Sequence, residues 1–299
     1  MRWIQNIMTV LIVVFALGFT AAYLVSESNL NRMYSAPKSH IAIPTDSASI
    51  RRGEHLANAV SGCVGCHGVD LGGSVMFEDP PIGRIVSANL TRGKGGIGES
   101  MTDERFVAAI RYGVRHDGRS VWVMPSENFS RYSDRDLAAL IAYVKSRPAV
   151  TRELPPRAIG PMGRVLNATG QLAFLTAARI DRTQIKSEAP AEGVTLEYGT
   201  YLAGAAGCTG CHGPGLSGGK IVGTPPDFLP AANLTPSGEV GQWSETSFIQ
   251  FIRSGRNPAG HQIGAEQMPW KIYKNMTNNE LSAIWLFVHS VPARAAGTR

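Results

Sequence analysis

The chain has 299 residues, 43% hydrophobic and 17% charged, a composition that fits about two globular domains and excludes a disordered or low-complexity chain. Its formal net charge of +6 is thinly spread: residues 51–150 carry 13 basic against 11 acidic side chains, and residues 193–299 carry 7 against 6. No segment makes the concentrated basic face that nucleic-acid binding requires.

The first element is apolar. Ile7 to Val25 is a 19-residue run without a charge, with Arg2 before it and Glu27 after it. That length spans a bilayer as a helix. A cleaved signal peptide is the alternative, but its apolar core is usually shorter, and only Thr20-Ala21-Ala22 resembles a cleavage site. Residues 1–25 are read as a retained anchor. Positive charge before the span keeps the amino end in the cytoplasm, so the remainder lies on the periplasmic side of a bacterial inner membrane. Residues 26–49, polar and with Pro37 and Pro44, read as a tether.

A helix from Arg51 to Val60 then leads into Cys63-Val64-Gly65-Cys66-His67. The same pattern returns as Cys208-Thr209-Gly210-Cys211-His212, after a helix from Leu196 to Ala203. C-x-x-C-H reads as a c-type haem attachment site. Two thiols one short turn apart can each form a thioether to a haem vinyl group, and the adjacent imidazole reaches the iron. Zinc would need two more ligands near each pair, and a dithiol redox pair would not need the His. The two runs use all four cysteines of the chain.

A long Gly/Pro-rich loop follows each attachment run, and little reads as strand. A second helix begins at Thr102, with Asp103 and Glu104 in its first turn, and stops at Gly113; its counterpart runs from Ser244 to Gly255. The third helix follows Ser133, with Leu137, Leu140, Ile141 and Val144 on one face. In the second half Thr277 and Glu280 make a full capping box, and Leu281, Ile284, Trp285 and Val288 form the face.

These elements form an internal repeat. Ala88-Asn89-Leu90-Thr91 returns as Ala232-Asn233-Leu234-Thr235, and Met124-Pro125 as Met268-Pro269, each 144 positions later. The expected architecture is mainly α: two tandem cytochrome c-type domains, residues 50–149 and 194–299, joined by a connector over 150–193. The connector is too polar for a second span and reads as an amphipathic strap packed on one domain or at their junction. Resting on the membrane surface is its other reading.

The repeat also selects a second axial ligand. Met124 lies 57 residues after His67 and Met268 lies 56 after His212, and no other methionine pair matches in register. Met76, Met101 and Met162 occur once each and read as packing residues. His116 and His261, in the same loops, are the rivals. The expected iron ligands are thus His67 with Met124 and His212 with Met268, and Cys63, Cys66, Cys208 and Cys211 hold two covalent haem c groups. Arg84, Arg111, Arg253, Asn89 and Asn233 are candidates for propionate binding or loop capping, with a solvated helix end the equal alternative for Arg111 and Arg253.

With these motifs, and the Pro81-Ile82-Gly83-Arg84-Ile85-Val86-Ser87 segment before Ala88, residues 50–292 resemble membrane-anchored dihaem c-type cytochromes. They resemble in particular the cytochrome c subunits of periplasmic alcohol and aldehyde dehydrogenases. Many members carry three haems, and this chain has two attachment sites. The resemblance implies one-electron transfer from a periplasmic dehydrogenase or respiratory complex towards a quinone pool or terminal oxidase. No catalytic residue and no small-molecule substrate are expected. A dihaem peroxidase, with one iron open to peroxide, and a subunit of a terminal oxidase complex are the alternatives.

Overall fold

The computed structural model describes residues 2–221, 224 and 228–298. Within the Gly/Pro-rich loop expected after the second attachment run, Val222, Gly223, Pro225, Pro226 and Asp227 lie outside the described residues.

The apolar run belongs to one 30-residue helix, α1 (Arg2–Asn31), long and apolar enough to cross a membrane. It runs six residues past Val25, so the start of the stretch read as a tether is helical. The cause is docking: Ser26 is buried, Glu27 pairs with Arg164, and the Asn29 amide donates to Asn167 at 3.4 Å.

Each half is built from three main helices. In the first, α2 (Ser47–His55) is capped by Asp46 and continues as a π-helical turn over Leu56–Val60. The attachment run forms its own short helix, α3 (Cys63–His67). Then come α4 (Asp103–Tyr112), the single turn α5 (Ser126–Phe129) and α6 (Asp134–Ser146). Thr102 and Ser133 cap α4 and α6 with side-chain oxygens that accept from backbone N–H groups, and Gly113 ends α4 in the left-handed conformation.

The segment between α3 and α4, read as loop, instead contains a hairpin. Strands β1 (Ser74–Asp79) and β2 (Gly83–Ser87) pair antiparallel with a bulge at Val75/Phe77, and β3 (Ala158–Ile159) from the connector adds to β2. A sheet of three short strands closes only when the connector supplies its third strand, which local sequence does not display. The connector continues as α7 (Pro161–Ala168), packed on α1.

The second half repeats the helices: α8 (Leu196–Ala206), α9 (Cys208–His212), α10 (Glu245–Ser254), α11 (Trp270–Tyr273) and α12 (Asn278–Ser290). Ser244 caps α10, and Thr277 with Glu280 forms the capping box of α12. In both halves the first helix crosses the third at a glycine. A Cβ on Gly53 would lie 1.9 Å from the Ala139 carbonyl oxygen, and one on Gly199 would lie 1.9 Å from that of Ala283. The π turn has a simple origin. Ten positions separate Gly53 from Cys63 but nine separate Gly199 from Cys208, so the first half carries one extra residue between crossing and attachment run, and the π turn absorbs it.

The expected helix faces are buried: Leu137, Leu140, Ile141 and Val144 on α6, and Leu281, Ile284 and Val288 on α12. One continuous apolar core joins the halves, bridged where Tyr132 of the first meets Tyr201 of the second at 6.2 Å. Met101 packs against that core, but Met76 and Met162, expected to be packing residues, are exposed. Both stand on the hairpin–connector unit, which has no counterpart among the described residues of the second half.

Candidate functional site

The two attachment runs have the same local structure. Each is a one-turn helix preceded by a left-handed glycine, Gly62 or Gly207. In each, the His Nδ1 lies 2.8 Å from a backbone carbonyl, His67 from Ala88 and His212 from Ala232. A carbonyl only accepts, so Nδ1 carries the proton and Nε2 keeps its lone pair for a metal. Burial also lowers the His67 pKa, which favours the neutral, ligating imidazole. Burial pushes the Cys63 and Cys208 thiols up to about 12, which favours their protonated form.

The Ala-Asn-Leu-Thr repeat supplies the carbonyl and fixes it. Asn89 accepts from the Thr91 N–H and hydroxyl at 3.0 and 2.8 Å and donates to the Val150 carbonyl at 2.7 Å. Asn233 does the same with Thr235 and the Arg294 carbonyl. These asparagines cap the loop that orients the histidine. Sequence reasoning left that role open and missed a second pair, Leu71 and Leu216. Both are fully buried in the left-handed region at φ 56°, and their carbonyls accept from Leu90 and Leu234. A buried leucine held there is strained, and the strain ties the loop to the attachment helix in both halves. Its signal in sequence is only a leucine four positions after each attachment histidine.

Met124 and Met268 sit in matching places. Each is half-buried against the core and precedes a proline that starts a single helical turn, α5 or α11. The Met124 loop is clamped by the connector, through Val123 N–H to the Phe174 carbonyl at 2.8 Å; Val123 itself has φ 64°. His116 lies in a turn, and His261 is exposed just after one, its carbonyl accepting from the Asn257 N–H at 3.0 Å. Arg111 and Arg253 are not solvated helix ends. Arg111 is buried and binds the Tyr132 carbonyl at 2.7 Å and Asp134 at 2.5 Å, and Arg253 binds the Met276 carbonyl and Asn278. Both latch the second helix to the start of the third. Arg84 pairs with Glu78 on the hairpin.

The two sites face one another across the halves. Gly62 and Gly65, in the first attachment loop, pack on Ile272 of α11 in the second half. Gly207, at the second attachment run, packs on Asn128 of α5 in the first half. Each attachment helix thus touches the turn that follows the opposite methionine.

The donor set fits haem c. Two thiols and an oriented imidazole stand on one turn, and among the described residues no group of three His, Cys, Asp or Glu side chains converges to complete a zinc site. Bound haem would supply reversible one-electron iron chemistry.

Residues 48–144 match the family described as cytochrome C oxidase, cbb3-type, subunit III. The chain is 29% identical to the cytochrome c subunit of a quinone alcohol dehydrogenase from Gluconobacter oxydans, over 84% of this chain and 56% of that protein. It is 28% identical to the fructose dehydrogenase cytochrome subunit of Gluconobacter japonicus, over 94% and 60%, and 29% identical to the gluconate 2-dehydrogenase cytochrome c subunit of Pantoea cypripedii, over 84% and 61%. The chain spans under two thirds of the length of these relatives. Residues 48–144 thus match a cytochrome c domain, a match that implies covalently bound haem c, and over most of its length the chain is similar to the cytochrome c subunits of dehydrogenases.

Proposed function

We propose that the chain is a membrane-tethered dihaem cytochrome c that takes electrons from a dehydrogenase and passes them to a terminal oxidase or another acceptor. The observation that carries this reading is the duplicated attachment geometry, with an Nδ1–carbonyl bond of 2.8 Å at both histidines. Cys63 and Cys66 would hold one haem and Cys208 and Cys211 the other. His67 with Met124, and His212 with Met268, would ligate the irons. Iron filled on both faces transfers electrons without binding substrate, which suits a carrier better than a peroxidase. The dehydrogenase donor rests on the names of the relatives. The anchor would be α1, with both halves on the periplasmic side.

The test is a haem count on the purified holo-protein, followed by ligand spectroscopy. Two covalent haems per chain are expected, falling to one when Cys208 and Cys211 are both replaced by alanine. One haem in the unaltered protein would overturn the dihaem reading. The oxidised protein should show a methionine–iron charge-transfer band at the far-red edge of the visible spectrum, weakened by Met124→Leu and again by Met268→Leu. Rapid cyanide binding with peroxide turnover would instead establish the peroxidase.

A further inference from the structure

We propose that the β1–β2 hairpin and the start of α7 form a foot that rests in the headgroup region of the bilayer and holds the first half at a fixed height and tilt. The inference rests on the reading of α1 as a retained anchor.

The height of the foot follows from α1. Ile7 to Val25 makes about 28 Å of helix at about 1.5 Å per residue, close to the thickness of about 30 Å of a hydrocarbon core. Within that run the first residue covered by the remainder of the protein is Ala22, three positions before its end. Protein contact with α1 therefore begins about one turn inside the apolar run, where acyl chains give way to headgroups.

The direction of α7 follows from its contacts. The Arg164 guanidinium lies 4.0 Å from the Tyr23 ring centroid and bonds Glu27 at 2.8 Å, while Asn167 meets Asn29. Moving along α7 from residue 164 to 167 thus moves along α1 away from the apolar run. The two helices run in the same sense, and the amino end of α7 points back towards the membrane. On α1, Ala22 and Ser26 are small and covered, which suits a close approach of the two helices.

The hairpin is fixed to that amino end. The Pro81 carbonyl accepts from the Met162 and Gly163 N–H groups at 2.8 and 3.2 Å, and the Ile82 carbonyl accepts from Gly160 at 2.9 Å. A Cβ on Gly163 would lie 2.0 Å from the Ile82 oxygen, so the contact has no slack. The turn Pro80–Pro81 and Met162 consequently sit at the end of α7 that points back along α1 towards its apolar run.

Their chemistry suits an interface. Met162 is 52% exposed, and Val75, Met76 and Phe77, consecutive on β1, are each about 40% exposed. The hairpin's acids are engaged within it: Glu78 by Arg84, and Asp79 by the Ile82 N–H at 3.1 Å. Tyr23 and Arg164, at the edge of the run, are the residue types that settle at headgroup level.

The test places a photoreactive benzoylphenylalanine singly at Leu17, Phe77, Met162 and Leu286 in the full holo-protein, in phosphatidylcholine vesicles, and measures lipid adducts by mass spectrometry. Leu286 is an equally exposed apolar residue of the second half. Adducts are expected at Leu17, Met162 and Phe77, with only background signal at Leu286. Adducts at Leu17 with Met162 and Phe77 at the Leu286 level would overturn the foot and leave the anchor standing. A failure of Leu17 itself to label would remove the anchor and the foot with it.

Discussion

At the level of single residues, the attachment histidines depend on side chains that never touch them. Asn89 is buried and satisfies the Thr91 N–H, the Thr91 hydroxyl and the Val150 carbonyl together. Asn89→Ala leaves those groups unpaired in the interior, at about 2–3 kcal/mol of stability. It also frees the Ala88 carbonyl that orients His67. Asn233 is half-buried, so water can replace its bonds, and Asn233→Ala should be milder. Thermal unfolding of the two holo-variants, followed by circular dichroism, checks the order: Asn89→Ala should melt lower. If the variants melt alike, burial does not decide the effect. The motif is legible in the sequence as a repeat, because both copies keep all four residues in register. Its purpose is not legible there, because the partners Val150 and Arg294 lie about 60 positions further along the chain.

Among the elements, the glycine crossings limit how the helices pack. Because the carbonyls of Ala139 and Ala283 occupy the space of a Cβ, Gly53→Ala or Gly199→Ala must separate first and third helices. Overpacking of this kind costs about 1–3 kcal/mol or more, against the small gain in helix propensity that alanine brings elsewhere. Chemical denaturation of each variant should show a lower midpoint, and an unchanged or raised midpoint would mean that the crossing adjusts. The helices themselves are legible in the sequence. Thr102, Ser133, Ser244 and Thr277 all cap as their chemistry dictates, and the periodic faces of α6 and α12 are buried. The crossings are hidden because Gly53 and Gly199 stand 146 positions apart while the loop motifs stand 144 apart, and the π turn accounts for part of that offset. The hairpin is hidden for a different reason: Val75, Met76 and Phe77 are consecutive apolar residues that break the alternation of a strand, with the bulge falling among them.

Across the whole molecule, the halves are joined by a buried ionic cluster as well as by their core. Arg52 grips Asp136 with two bonds of 3.0 and 3.1 Å and approaches Glu280 of the second half at 3.8 Å. His55 Nε2 lies 2.9 Å from both Glu280 oxygens, and the Tyr201 hydroxyl of the second half donates to Asp136 at 2.7 Å. Burial opposes the Glu280 charge, but the bonds from His55 and the Thr277 N–H outweigh it, and the pKa is lowered from the ordinary glutamate value. A lowered folded pKa contributes stability that is fully present above the unfolded value, near 4.3, and is lost as the pH falls through the folded one. Glu280→Gln tests this cleanly, since glutamine can still complete the capping box of α12 while removing the charge. Near neutral pH the variant should be less stable by about 1–3 kcal/mol, because His55 and Arg52 lose a buried partner. Below the ordinary glutamate range the wild type loses the same charge by protonation, so the gap between the two melting curves should close. A gap that persists unchanged in acid would assign the effect to packing rather than to the ion pair. If the gap closes, the junction between the halves draws part of its stability from this charged cluster in addition to the apolar core, and acid weakens that part.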